Sequence, residues 1–153
     1  MDNLVADKVY VKPDEIDAMV RSLALYIKQS GRKFEQVVGI ERGGLFISRP
    51  LAALLGLPHD SIMISCYTET GKRSVPIVKG DYDTSLDTLI VDDLIDGGTT
   101  MRLLNKYYHQ KPTDATAVLF WNTDSAEPDF YVEEKPEQWL VFPWELDREE
   151  GTE

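Results

Sequence analysis

The chain has 153 residues, 42% of them hydrophobic, which is enough for one substantial core and reads most simply as a single domain spanning 1–153. Its formal net charge of −11 at pH 7 argues against a nucleic-acid surface. No apolar run is long enough to span a membrane, and Met1-Asp2-Asn3-Leu4 is no secretory leader, so a cytoplasmic location is expected.

In chain order, Pro13-Asp14-Glu15 opens a helix whose apolar positions Ile16, Met19, Val20, Leu23 and Ile27 fall on one face, ending near Ser30-Gly31. A strand over about 36–40 then runs into the turn Glu41-Arg42-Gly43-Gly44 and an apolar helix from about Leu45 to Leu55, which stops at Gly56. The next strand is expected at about 61–66. It carries the lone Cys66, which can form no internal disulfide, has no metal-ligand spacing around it, and is read as a structural thiol. Residues 67–83 are long and polar, the pattern of a lid or of an exposed two-stranded hairpin. A β-branched strand at 88–91 ends in Asp92-Asp93-Leu94-Ile95-Asp96-Gly97-Gly98-Thr99-Thr100. A helix follows, marked by Met101, Leu104 and Tyr108. One more strand is expected at 115–121, and the alternation of strands and helices predicts an α/β fold with a parallel sheet flanked by helices.

The turn after 88–91 has two chemically different ends. Gly97 and Gly98 allow close approach of backbone N–H groups to an anion, Thr99 and Thr100 add hydroxyls, and the helix N-terminus adds its dipole, so this end suits phosphate. Asp92, Asp93 and Asp96 would repel phosphate but suit sugar hydroxyls or Mg²⁺. The earlier turn offers Arg42, a permanent guanidinium, beside Gly43 and Gly44, an arrangement suited to a second phosphate group. Near the end, Trp139-Leu140-Val141-Phe142-Pro143-Trp144-Glu145 places Trp139 where it could stack on a flat heterocycle or form part of a final strand.

Together these three segments resemble the type I phosphoribosyltransferases, and among them the small bacterial xanthine-guanine phosphoribosyltransferases. Asp92-Asp93-Leu94-Ile95-Asp96-Gly97-Gly98-Thr99-Thr100 is similar to that family's acidic-acidic-x-x-Asp-Thr-Gly-x-Thr signature, with Gly97 where threonine is usual. Glu41-Arg42-Gly43-Gly44-Leu45 is similar to its Ser-Arg-Gly-Gly-Leu loop, and Trp139, Pro143, Trp144 and Glu145 match its aromatic hood. The resemblance spans residues 37–145, in one order and with similar spacing.

It implies a small C-terminal hood over about 122–146 and an Mg²⁺-dependent enzyme of purine salvage. Such an enzyme moves a 5-phosphoribosyl group from phosphoribosyl pyrophosphate to xanthine, guanine or hypoxanthine, giving a nucleoside monophosphate. By the family's pattern, Asp96 is the catalytic base, and Asp92 and Asp93 hold ribose hydroxyls and the metal. Gly97, Gly98, Thr99 and Thr100 grip the 5′-phosphate. Arg42, Gly43, Gly44 and, on the closing loop, Arg73 meet pyrophosphate, while Trp139 and Leu140 border the purine. Asn122 stands where relatives that use 6-oxopurines place a lysine, and its amide can both donate and accept. The resemblance also implies a homo-oligomer, dimer or tetramer. Two other readings are a non-catalytic regulator that binds phosphoribosyl pyrophosphate and a metal-dependent phosphohydrolase built on Asp92 and Asp93.

Overall fold

The computed structural model describes residues 7–67 and 75–146. Their elements run β1 (Lys8–Tyr10), α1 (Pro13–Ser30), β2 (Gln36–Glu41), α2 (Leu45–Leu55), β3 (His59–Tyr67), β4 (Val75–Lys79), β5 (Thr88–Val91), β6 (Leu94–Ile95), α3 (Thr99–Tyr108), β7 (Ala115–Trp121), β8 (Phe130–Glu134) and β9 (Trp139–Val141). A seven-stranded sheet has the order β4-β3-β2-β5-β7-β6, with β8 also paired to β7. All its pairings are parallel except β3 with β4. β1 and β9 form a separate parallel pair.

Helix α1 follows from its caps and its stripe. Pro13 occupies the first turn, where a missing N–H costs nothing, Glu15 Oε1 accepts a hydrogen bond from Lys12 N at 2.8 Å, and Gly31 closes the helix at φ 77°. Ile16, Met19, Val20, Leu23 and Ile27 are all buried. The central strands alternate: Val37, Leu89, Val91, Ala117 and Leu119 pack with α1 and α2 on one face. Val38, Ile40, Ile62, Ile64 and Ile90 pack with Leu104 and Tyr108 of α3 on the other. Both faces of the sheet are therefore covered by helices, as expected of parallel strands.

The polar segment 67–83 is not loop throughout. Val75–Lys79 forms the antiparallel edge strand β4 against β3, and Pro76 is tolerated there because an edge strand needs only one ladder. Arg73 lies outside the described residues.

The path β2, β3, β4 builds one side of the sheet, and the chain then returns to place β5 on the opposite edge of β2. This reversal opens a crevice at the C-terminal ends of β2 and β5, where ligands of open α/β sheets bind. The Arg42-Gly43-Gly44 turn leaves β2 there, and the chain leaving β5 runs through Asp92-Asp93 and β6 before it reaches the Gly97-Gly98 turn.

Candidate active site

A cavity of about 300 Å³ opens beyond β5. It is lined by Asp92, Asp93, Asp96, Gly97, Gly98, Thr99, Thr100, Trp139 and Leu140, nine residues singled out from sequence, and also by Leu94, Ile95, Met101, Lys135, Phe142 and Glu145. Arg42, Gly43, Gly44 and Asn122 are not among the lining residues.

The turn into α3 keeps its donors free. The first amide of this region with a backbone acceptor is that of Arg102, which donates to Gly98 O at 3.1 Å. Among the described residues, the N–H groups of Gly97, Gly98, Thr99, Thr100 and Met101 have no hydrogen-bond partner, and no side chain caps the helix. Gly98 sits at φ 80°, which turns the chain sharply into the helix and favours glycine. A Cβ on Gly97 would meet nothing within 4 Å. Arg102 Nη2 donates to Thr99 Oγ1 at 3.1 Å, which occupies that oxygen as an acceptor and leaves its hydroxyl hydrogen to point elsewhere. A row of free donors at a helix N-terminus is an anion site.

In the turn into α2 the amides of Gly44 and of the helix start are paired, while among the described residues the N–H groups of Arg42 and Gly43 have no hydrogen-bond partner. Gly44 N donates to Ile40 O at 2.9 Å, Leu45 N to Arg42 O at 3.2 Å, Phe46 N to Gly43 O at 3.2 Å, and Ser48 N to Gly44 O at 2.8 Å. A Cβ on Gly44 would lie 2.4 Å from Ile40 O and 2.7 Å from Val91 O, so this glycine lets the turn press against β2 and β5. A Cβ on Gly43 would lie 2.1 Å from Asp93 Oδ2. The turn thus packs against the acidic pair, and Arg42 is exposed beside Phe46 and Arg49. The peptide between Glu41 and Arg42 is cis.

Asp92 is buried and Asp93 half-buried. Burial, then the charge of Asp93 and a hydrogen bond with it, push the Asp92 carboxyl well above the usual carboxylate range. Burial also raises Asp93, with Glu145 adding to it, against the lowering effect of its hydrogen bond to Asp92. Among the described residues, no group of three or more His, Cys, Asp or Glu side chains could hold an ion alone. Mg²⁺ is usually bound by one or two carboxylates, with water and substrate oxygens completing the shell. Two adjacent acids that burial and mutual repulsion penalise fit that donor set, because a shared cation relieves both.

Asp96, by contrast, is exposed at the cavity mouth, and its Oδ1 accepts a hydrogen bond from Asn122 Nδ2 at 2.8 Å. The Asn122 oxygen accepts in turn from Asp124 N at 3.1 Å. The amide expected beside the base is therefore engaged with the candidate catalytic carboxylate. Across the cavity, Trp139 is 66% exposed and free to stack, even though it begins β9. Trp144 is buried between Phe46 and Phe142 in a parallel stack with centroids 4.5 and 4.8 Å away, which anchors the hood. Lys135 escaped the sequence reading. Its one signal was a lone basic residue between Glu133-Glu134 and Glu137, just ahead of Trp139.

The phosphoribosyl transferase domain model matches residues 11–150. A xanthine-guanine phosphoribosyltransferase of Vibrio atlanticus is 28% identical over 142 residues, covering 92% of this chain and 91% of the relative. A purine phosphoribosyltransferase from Pyrococcus horikoshii superposes with a TM-score of 0.77 at 27% identity, over 90% of this chain and 94% of that one. The xanthine-guanine-hypoxanthine phosphoribosyltransferase of Helicobacter pylori has the same fold, with a TM-score of 0.75 at 22% identity over 94% and 97%.

Proposed function

The chain belongs to the phosphoribosyl transferase domain family, and from that premise we propose that it transfers the 5-phosphoribosyl group of phosphoribosyl pyrophosphate to a purine base in purine salvage. Xanthine, guanine and hypoxanthine are the favoured bases, a choice supported by the similarity to the Vibrio atlanticus xanthine-guanine enzyme. The observation that carries the reading is the row of unpaired amides at residues 97–101, opening into a cavity that also holds an acidic pair and an exposed tryptophan.

In the reaction, the bond from the ribose anomeric carbon to pyrophosphate breaks, a bond from that carbon to a purine nitrogen forms, and the proton on that nitrogen is lost. The amides of Gly97, Gly98, Thr99 and Thr100 hold the 5′-phosphate as a remote anchor that aligns the sugar. Asp92 and Asp93, at the cavity floor, face the ribose hydroxyls. Asp96 takes the proton from the base, and Asn122 holds its carboxylate in one orientation. Trp139 stacks on the purine and Leu140 borders it. Arg42 and Arg73 serve the departing pyrophosphate, and Gly43 and Gly44 set the backbone behind Asp93. Asp92 and Asp93 would hold Mg²⁺, which would supply charge neutralisation for the leaving group. The family resemblance also supports a cytoplasmic homo-oligomer, dimer or tetramer, which light scattering and cell fractionation would check.

The test is a panel of bases with phosphoribosyl pyrophosphate and Mg²⁺. Base-dependent release of pyrophosphate, abolished by excess chelator, is expected. Saturable binding without turnover would mean a regulator, and orthophosphate released without any base would mean a phosphohydrolase.

A further inference from the structure

Among the described residues that line the cavity, Lys135 carries the one positive charge. It follows β8, where its backbone N–H donates to Trp121 O at 2.8 Å and so ties it to the strand end beside Asn122. Its Nζ donates to Pro136 O at 2.9 Å and to Gln138 O at 3.2 Å, the segment that leads into Trp139. These contacts use two of the three ammonium donors and fix the charge on the cavity wall. One donor remains.

An ammonium group donates hydrogen bonds and cannot accept them. A heterocycle seated against Trp139 and Leu140 therefore meets a donor-only group. An exocyclic oxygen pairs with it, whereas an exocyclic amino group would set N–H against N–H and leave both unsatisfied, which is where polar sites discriminate most strongly. Asn122 is less suited to this part, since it does not line the cavity and its amide can accept as well as donate.

Resting on the purine reading above, we infer that Lys135 is the specificity-determining residue of the base site: it donates to an exocyclic oxygen at the purine 6-position and selects 6-oxopurines over 6-aminopurines. Asn122 is then a positioning residue for Asp96. Lysine and asparagine divide the work between two segments that the β7–β8 pairing brings together.

Calorimetric titration of the full chain with inosine 5′-monophosphate and adenosine 5′-monophosphate tests this without turnover. The unmodified protein is expected to bind the inosine nucleotide more tightly. Lys135→Met is expected to lose roughly 10-fold or more of that affinity while the adenosine nucleotide binds as before. An intact preference in the variant, equal weakening of both nucleotides, or no preference in the unmodified protein would overturn the inference. Equal weakening would mark Lys135 as a tie within its loop. If Lys135→Met does not fold, Lys135→Gln, whose amide accepts as well as donates, serves instead: the preference should shrink, and its full retention overturns the inference. Pyrophosphate release by the unmodified protein is measured separately, so failure of the transferase reading is distinguishable from failure of this one.

Discussion

The turns after β2 and β6 each lead a glycine pair into a helix, yet the two pairs sit in different surroundings. In the first, Gly43 and Gly44 exist because other protein atoms occupy the space a side chain would need, and the helix amides are satisfied by carbonyls of the turn itself. In the second, Gly97 faces open space and the amides of residues 97–101 have no protein partner among the described residues. A glycine pair before a helix is therefore ambiguous as a phosphate motif. What separates the two turns is which N–H groups stay unpaired among the described residues, Arg42 and Gly43 ahead of the helix in the first and residues 97–101 at the helix start in the second.

The contrast can be broken by substitution, and the largest effect is expected at Gly44. Gly44→Ala forces a methyl group into the carbonyls of Ile40 and Val91, two backbone atoms that cannot swing aside, so stability should fall by about 3 kcal/mol. Urea unfolding measures this, and a midpoint like that of the unmodified protein would show that the first turn is not packed as described. In the second turn the cost should appear in catalysis. Asp96→Asn removes the proton acceptor while keeping the shape, and kcat should drop about 10²-fold with stability little changed. An unchanged kcat under chemistry-limited conditions would remove Asp96 from the role of base.

Gly43→Ala sharpens the comparison, because its new methyl meets the tip of a side chain instead of backbone. Displacing Asp93 should lower kcat/KM by roughly 10-fold and stability by only about 1 kcal/mol. The smallest effect is expected at Gly97, whose φ lies outside the left-handed region and whose Cβ position is open. Gly97→Thr restores the hydroxyl usual in the family and should tighten phosphoribosyl pyrophosphate binding by at most about tenfold, with stability within about 0.5 kcal/mol. A large loss of stability there would mean that the turn is more tightly filled than its geometry indicates.

Contiguity decided what the sequence made legible. The strands at 36–40, 61–66, 88–91 and 115–121 and all three helices could be read because their apolar spacing is local, and each matches an observed element within a few residues. β1, β8 and the edge strand β4 are short or rich in polar residues, as in Phe130-Tyr131-Val132-Glu133-Glu134, and they exist because a partner strand offers an edge, β9 at the other end of the chain for β1 and the preceding strand for β4 and β8. The site divides the same way. Asp92 to Thr100 is one unbroken stretch, so its chemistry was visible, whereas the Asn122 contact with Asp96 joins residues 26 apart. Lys135 enters the cavity only because β8 runs alongside β7. No local pattern encodes either arrangement.

The most direct test of the difference between the two turns is a titration of ¹⁵N-labelled protein with ribose 5-phosphate, followed by amide chemical shifts. The account predicts large shifts for Gly97, Gly98, Thr99 and Thr100, and still signals for Phe46, Ile47 and Ser48. Shifts at Phe46, Ile47 and Ser48 with residues 97–100 silent would contradict it.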